Sequence, residues 1–418
     1  MEVNGERGVT TDREHPAERT PMNSPLPVEP GQRVALLDVL RGFALFGVLL
    51  VNLHAIVFYT TPQEVLAGVS WPMDSVLDRL HHWLFESKFV TLFAMLFGYG
   101  FGLLLQRLET KGTAVAGFFF RRMGILFTLG LVNLCLWWAD ILHVYALVGL
   151  LLLLFRRASN GVVLASAVVF GFGFTWAHFA FSKYVFPLEF DPALAQAHYP
   201  ALLSTDFSTM AEANYRIQRL FQTTGLVVYV YGHAIGCILF GYWLFRKDLF
   251  GRLEEHVRSV KRVWWIGLGF IAVPWAFVYA GKAGLMANPW FYHGAFPIFQ
   301  GAIIGMSLFY STSIILLYRR GIFKRVFRAF AHVGRMSLTN YLSQSILYVV
   351  FFYGIGFGLL GKVAYHHIWA LCLGFYVVQV LFSAWWMGPY QYGPAEWGWR
   401  QLSYGRRFPI RRPTGNRS

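Results

Sequence analysis

The stretch Leu37-Asp38-Val39-Leu40-Arg41-Gly42-Phe43-Ala44-Leu45-Phe46-Gly47-Val48-Leu49-Leu50-Val51-Asn52-Leu53 decides the fold. Apolar residues run from Phe43 through Val51 and beyond, which is the pattern of a helix that lives in lipid. Three polar groups are set into it: Asp38, Arg41 and Asn52. Asp38 and Arg41 are three residues apart, so a helix places them on one face where they can pair. A charge near the bilayer centre costs about 2.5 to 3.5 kcal/mol on insertion scales, so such groups normally face protein or water. Two readings follow. Either Arg41 snorkels to the membrane surface with Asp38 as its counter-charge, or this helix lines a polar site.

The rest of the chain has the same character. Of 418 residues, 56% are hydrophobic and only 14% charged, against roughly 25% charged in an average globular chain. Apolar blocks of about 20 residues recur, the length that crosses a bilayer as helix. The fold class is therefore an all-α polytopic membrane protein. The blocks predict ten spans: 34–59, 89–105, 122–138, 141–155, 161–182, 225–245, 263–280, 295–318, 336–356 and 364–387. A net charge of +15 would suit nucleic acid, but the basic residues sit in short connections between spans, which is an orientation signal. With the N-terminus inside, 28 of the 36 Lys and Arg residues fall in cytoplasmic segments and seven in outer ones. Both termini are then cytoplasmic. Residues 1–33, with five prolines and few large apolar groups, read as a disordered cytoplasmic tail. Residues 34–387 form the membrane domain, with long outer segments at 60–88 and 183–224, and 388–418 form a basic cytoplasmic tail.

Several polar constellations could carry chemistry. The third and fourth spans cover only about 22 Å each at 1.5 Å per residue, short of a hydrocarbon core of about 30 Å. The tip between them, Trp137-Trp138-Ala139-Asp140, is therefore expected below the outer surface, where a carboxylate needs a partner. Asp140 and His143 can share a helix face, as a carboxylate orienting a histidine base or as a contact of the hairpin tip. His54, near the outer end of the first span, is a second candidate base or a packed residue. His81-His82 and His366-His367 are adjacent pairs whose rings point apart on a helix, so no metal site is expected. Cys135, Cys237 and Cys372 are isolated in apolar segments and read as packing residues. Arg121 and Arg122 precede the third span, and Arg335, Arg400, Arg406 and Arg407 lie at cytoplasmic ends. Such a cluster suits the phosphates of a nucleotide-like donor or anionic lipid headgroups. Asn340 and Gln344, four apart in the ninth span, either tie helices together or line the same passage as Asn52. Gly98-xxx-Gly102, Gly232-xxx-Gly236 and Gly354-xxx-Gly358 permit close helix contact within the chain or in a homodimer.

Four stretches carry a resemblance: Lys88-Phe89-Val90-Thr91-Leu92-Phe93 through Gly98; Asp140-Ile141-Leu142 with Tyr145 and Gly149; Gly334 to Gln344; and Gly393-Pro394-Ala395-Glu396-Trp397-Gly398-Trp399-Arg400. In this order they resemble the YeiB-like bacterial membrane proteins, a family of unknown function, over about residues 33 to 407, with a C-terminal family region at about 235–405. The resemblance implies a multi-pass protein of the bacterial cytoplasmic (inner) membrane. That family is related to the lysosomal heparan-α-glucosaminide N-acetyltransferases, which share the Asp-x-x-Arg-Gly helix and a stretch like Gly334 to Tyr341. In those enzymes acetyl-CoA enters from the cytoplasm and the acetyl group reaches an amine on the far side. Two departures bear on mechanism. Ser70-Trp71 is preceded by Gly68-Val69, where the sugar acetyltransferases carry a proposed catalytic histidine, and Asn133 stands where YeiB-like proteins usually have histidine.

The expected function is thus acyl transfer from cytoplasmic acyl-CoA to a small-molecule, glycan or lipid acceptor at the outer side. Asp38, Arg41, Asn52, Arg121, Arg122, Asn340, Gln344 and Arg400 would hold the donor, and Asp140, His143 and His54 are the catalytic candidates. The alternative is a carrier of a lipid or small solute through the same polar-lined cavity. Membrane lipids are expected partners and nucleic acid is not. The charge distribution makes a direct prediction. In intact cells a Thr205→Cys variant should react with an impermeant thiol reagent and a Ser418→Cys variant should not. Labelling at 418 with none at 205 would invert the topology.

Overall fold

The computed structural model describes residues 35–412 except 113, 175, 177–191, 224–225 and 286–287; the expected tail at 1–33 and part of the 183–224 segment lie outside these residues. The chain is helical, and the described residues form no named strand. In order, the helices are α1 (Ala35–Thr60), α2 (Gln63–Val69), α3 (Pro72–Leu84), α4 (Lys88–Thr110), α5 (Val115–Leu134), α6 (Leu142–Leu151, extended by a 3₁₀ turn to Phe155) and α7 (Asn160–Val168). They are followed by the short α8 (Pro192–Gln196) and α9 (Tyr199–Leu202), then α10 (Phe207–Thr223), α11 (Leu226–Arg246), α12 (Leu253–Gly269), α13 (Val273–Lys282) and α14 (Pro289–Arg319). The last four are α15 (Lys324–Arg335), α16 (Ser337–Phe351), α17 (Tyr365–Trp386) and α18 (Pro394–Tyr404). Among the described residues, seven helical stretches are long and apolar enough to cross a membrane. The protein is an all-α polytopic membrane protein.

Among the described residues the expected spans fall on helices; 177–182 of the fifth lies outside these residues, 263–280 is interrupted by a 3₁₀ turn at Phe270–Ala272, and two boundary moves matter. Helix α5 runs from Val115 to Leu134, so Arg121 and Arg122 lie within it instead of ahead of it, and its 20 residues cover about 30 Å rather than the roughly 22 Å expected; only α6 is short. Helix α16 ends at Phe351, so Gly354 and Gly358 do not form a helix face. Gly354 instead donates its N–H to the Leu202 carbonyl, and Gly358 takes a positive φ of 59° in the turn beyond.

Helix α1 is apolar on almost every side and is buried on almost every side, from Leu36 to Val57. A helix without a polar face belongs at the centre of a bundle. Two of its contacts are set by glycine. A Cβ on Gly42 would enter the Phe330 carbonyl of α15, and one on Gly334 of α15 would enter the Asp38 carbonyl of α1. The crossing is reciprocal, each helix offering a glycine to the other's backbone. A second crossing of this kind joins α4 to α11, with Gly98 against the Ile238 carbonyl and Gly241 against the Met95 carbonyl. Lipid supplies no hydrophobic force between helices, so close backbone packing through small residues has to hold them together. Gly102 meets Phe245 and Gly236 meets Gly171, so these motif glycines make their contacts within one chain.

If the α1–α15 crossing sets the bundle, a single methyl there should be costly. Gly334→Ala is expected to lower unfolding stability in detergent by about 1 to 3 kcal/mol through overpacking. Gly117→Ala, where a Cβ meets nothing within 4 Å, should be neutral or stabilising. Equal melting temperatures for the two variants would refute the assignment.

Candidate functional site

The α1–α15 crossing places Asp38 and Arg41 of α1 beside a cavity of about 290 Å³ at the basic end of the bundle. Its wall carries five arginines: Arg41 of α1, Arg107 of α4, Arg122 of α5, Arg335 of α15 and Arg400 of α18. Only two carboxylates share it, Asp38 and Glu396. Asp38 accepts from Arg41 across 3.2 Å, the helical pairing that their spacing allows. Gly100 of α4 leaves the room that the Arg41 guanidinium occupies, since a Cβ there would lie 2.8 Å from Nη2. Arg122 lies over the Trp399 ring at 3.7 Å, and the Trp399 indole N–H donates to the Arg122 carbonyl. Arg400 faces the Tyr392 ring at 4.4 Å. Delocalised guanidinium on an aromatic face is well suited to planar, bidentate recognition of anions.

Glu396 is the cavity's structural acid. Its Oε1 accepts from the Leu338 and Thr339 N–H groups at 2.6 and 3.1 Å, and Oε2 accepts from the Thr339 hydroxyl. The carboxylate therefore caps α16, satisfying donors that a helix start leaves without partners. Burial raises this carboxyl above its ordinary value, against the hydrogen bonds that favour its ionised form. The Thr339 hydroxyl in turn accepts from the Ala395 N–H, so the starts of α16 and α18 are bound to each other.

One helical turn beyond Ser337, which lines the cavity, stands Tyr341 of α16. Its hydroxyl donates to Asp140 Oδ1 at 3.2 Å and accepts from the Ile141 N–H. Asn133 donates to the same carboxylate oxygen at 2.9 Å. The second oxygen, Oδ2, receives the His143 N–H at 3.2 Å and lies 3.1 Å from His143 Nδ1. Asp140 is 3% exposed and Trp137 and Trp138 are 0% and 2% exposed, so the connection between α5 and α6 is buried within the protein. Gly130 makes the closure sterically feasible, because a Cβ there would come 2.5 Å from the His143 nitrogen. Helix α10 covers the tip: Gln218 approaches His143 Nε2 at 3.4 Å, and Phe221 stacks on Trp138. Between cavity and tip, Phe93 and Phe97 line the cavity and lie against Tyr145 at ring separations of 6.2 and 5.3 Å.

The structure thus brings Asp38, Arg41, Arg122 and Arg400 together and separately joins Asp140 to His143. Other expected site residues lie elsewhere. Arg121 is exposed and points at Gly405, at the end of α18. Asn340 donates to the Val333 carbonyl and the Ser383 hydroxyl, and Gln344 to the Leu45 carbonyl and Gln379. Both amides work between helices and neither lines the basic cavity. Asn52 is buried beside Tyr348, with which it hydrogen-bonds. His54 is at the opposite end from the cavity, 2.9 Å from Asp78 Oδ1 of α3 and stacked on His81. Sequence reasoning missed Arg107, Glu396, Trp399, Asp78 and Tyr341. Only Asp78 left a local trace, at four residues from His82.

No solved structure matches this chain significantly. Residues 244–406 match the family described as "Protein of unknown function (DUF418)". YxaH of Bacillus subtilis (strain 168) is 30% identical over 416 residues, covering 94% of this chain and 100% of that protein. YeiB of Escherichia coli (strain K12) is 30% identical over 396 residues, covering 89% and 96%. The chain belongs to this YeiB-like DUF418 family. An uncharacterised 39.9 kDa protein from the amylase 3' region of Bacillus acidopullulyticus is 29% identical over 92% of this chain and 97% of its own. The family match supplies Arg335, Glu396, Trp399 and Arg400 to the cavity, while Asp38, Arg41, Arg107 and Arg122 come from the preceding half.

The cap at Glu396 is open to measurement. Glu396→Ala leaves two backbone donors and a hydroxyl without their acceptor, which should cost about 1 to 3 kcal/mol of stability. Glu396→Gln, which keeps one acceptor oxygen, should recover part of the loss. Unchanged melting of Glu396→Ala would mean that water replaces the carboxylate.

Proposed function

We propose that this protein is a transmembrane acyltransferase that draws acyl-CoA from the cytoplasm and delivers the acyl group to a nucleophile toward the outer side. The observation that carries this reading is the excess of five arginines over two carboxylates around one cavity, three of whose lining residues are aromatic groups of the C-terminal segment: Tyr392, Trp399 and Tyr404. Arginines bind phosphate oxygens bidentately, and stacked aromatic groups suit a nucleotide base. The basic end faces the cytoplasm under the positive-inside rule, which is where acyl-CoA is found.

In this reading the donor's phosphates rest among Arg41, Arg107, Arg122, Arg335 and Arg400, with Asp38 holding Arg41 in place. The acyl arm extends along α16 toward Tyr341. Asp140 accepts the His143 Nδ1–H and so leaves Nε2 as the base. As the acceptor's oxygen or nitrogen bonds to the thioester carbonyl carbon, Nε2 takes its proton. The carbon–sulfur bond then breaks, and the thiolate leaves with that proton as free CoA. No covalent acyl-enzyme is required. Asn133, at the position where a relative's histidine would stand, is an anchor for Asp140 in this scheme and not a nucleophile.

Two variants separate binding from chemistry. Arg41→Ala should weaken CoA binding in calorimetry by about 1.5 to 3 kcal/mol, the worth of a charge-assisted hydrogen bond. Asp140→Asn should bind CoA like the wild type yet lose about 10²- to 10⁴-fold in turnover, the range of a general base. Wild-type protein that binds no CoA, but retains a lipid or solute in the cavity, would replace this reading with a carrier.

A further inference from the structure

At the end of the bundle opposite the basic cavity, the first outer segment carries a cluster that acyl transfer does not use. Helix α3 places Asp78 and His82 four residues apart, hence on one face. The outer end of α1 brings His54 to the same point. Asp78 Oδ1 lies 2.9 Å from His54 Nε2 and 3.4 Å from His82 Nε2. The three ligand atoms lie within 4.8 Å of one another.

We propose that His54, Asp78 and His82 form a binding site for a divalent transition ion of the zinc class. Three features point there. The first is spacing. Zinc–ligand bonds of about 2.0 to 2.1 Å in a tetrahedron put ligand atoms about 3.3 Å apart, close to the separations found. The second is the partner of the other His82 nitrogen. Glu86 faces Nδ1 at 2.5 Å, so a neutral His82 donates Nδ1–H to Glu86 and turns its Nε2 lone pair toward Asp78. A lone pair facing a carboxylate oxygen repels it unless a cation lies between them. A carboxylate behind a ligating histidine is also the usual outer support of such a metal site. The third is rigidity on one side and access on the other. The His54 ring is stacked on His81 at 4.0 Å and 3°, and its side chain is 6% exposed. Those of Asp78 and His82 are 34% and 48% exposed. Three protein ligands with one side open leave a position for water or an anionic group of a ligand. Two imidazoles with one carboxylate favour zinc, nickel, copper or iron over magnesium or calcium.

The competing cation is a proton on His82 held between Asp78 and Glu86, and the experiment separates the two. The purified full chain is stripped with chelator and titrated with Co²⁺ as the probe, then with Zn²⁺ in competition. The expected result is one equivalent of Co²⁺ giving visible d–d bands that Zn²⁺ abolishes. His82→Ala and Asp78→Asn should lose these bands. Glu86→Gln, which alters no ligand, should weaken affinity by about 10- to 100-fold. His256→Ala, at a half-buried histidine remote from the cluster, should change nothing. Thermal unfolding of each variant without metal identifies any loss that comes from misfolding. No stoichiometric Co²⁺ signal in the wild type, or a signal that survives both ligand substitutions, overturns the assignment and leaves a protonated His82.

Discussion

The architecture depends on how closely α15 can approach α1. Gly42 and Gly334 each present bare backbone to the other helix's carbonyl, and everything at the basic end inherits its position from that contact. Arg335 and Ser337 follow Gly334 in sequence and reach the cavity wall because Gly334 touches Asp38. Asp38 and Arg41 face the same space because α1 has no other polar side to turn. The Asp–Arg pair would be expensive in lipid. Here it is enclosed by α4, α5, α15 and α18, and four further arginines make the enclosure an anion-attracting one.

The opposite end is built by a different rule. The connection between α5 and α6 is covered by α10, so Trp137, Trp138 and Asp140 are buried although α5 itself is long enough to span. A buried carboxylate has to be partnered, and three donors converge on it, Asn133, Tyr341 and the His143 backbone N–H, with the His143 ring nitrogen 3.1 Å away. Tyr341 belongs to α16, whose first turn is capped by Glu396. Two polar sites that share no residue are therefore joined through one helix.

What was legible in the sequence and what was not divides along sequence distance. Segment existence followed from apolar length and the Asp38–Arg41 pair from helical spacing, whereas Asp140 precedes the helix and meets His143 at its first turn rather than along a shared face. The burial of Asp140 was not legible from hairpin length, since α5 begins seven residues earlier than its apolar block suggests and α10, remote in sequence, supplies the cover. Glu396 was not legible, because its partners Leu338 and Thr339 are more than fifty positions away. The same holds for Trp399, whose partner Arg122 is 277 residues distant. Asn340 and Gln344 were legible only as polar groups needing partners. Whether those partners are helices or a cavity is a property of packing, and Ser383, Gln379 and the Leu45 carbonyl supply the answer. Asp78 was legible in principle, but the adjacent His81-His82 pair drew the reading toward rings that point apart.

The place of α18 has a consequence for shortened chains. It follows the last apolar helix and brings Glu396, Trp399 and Arg400 to the cavity. Without α18, Arg122 would lose the Trp399 ring beneath it and Arg41 would face a cavity with one wall missing. The wall is complete only with this helix in place and Glu396 capping α16. The chain's last helix thus completes a wall begun by its first, and a chain halted before residue 394 would lack Glu396, Trp399 and Arg400 from that wall.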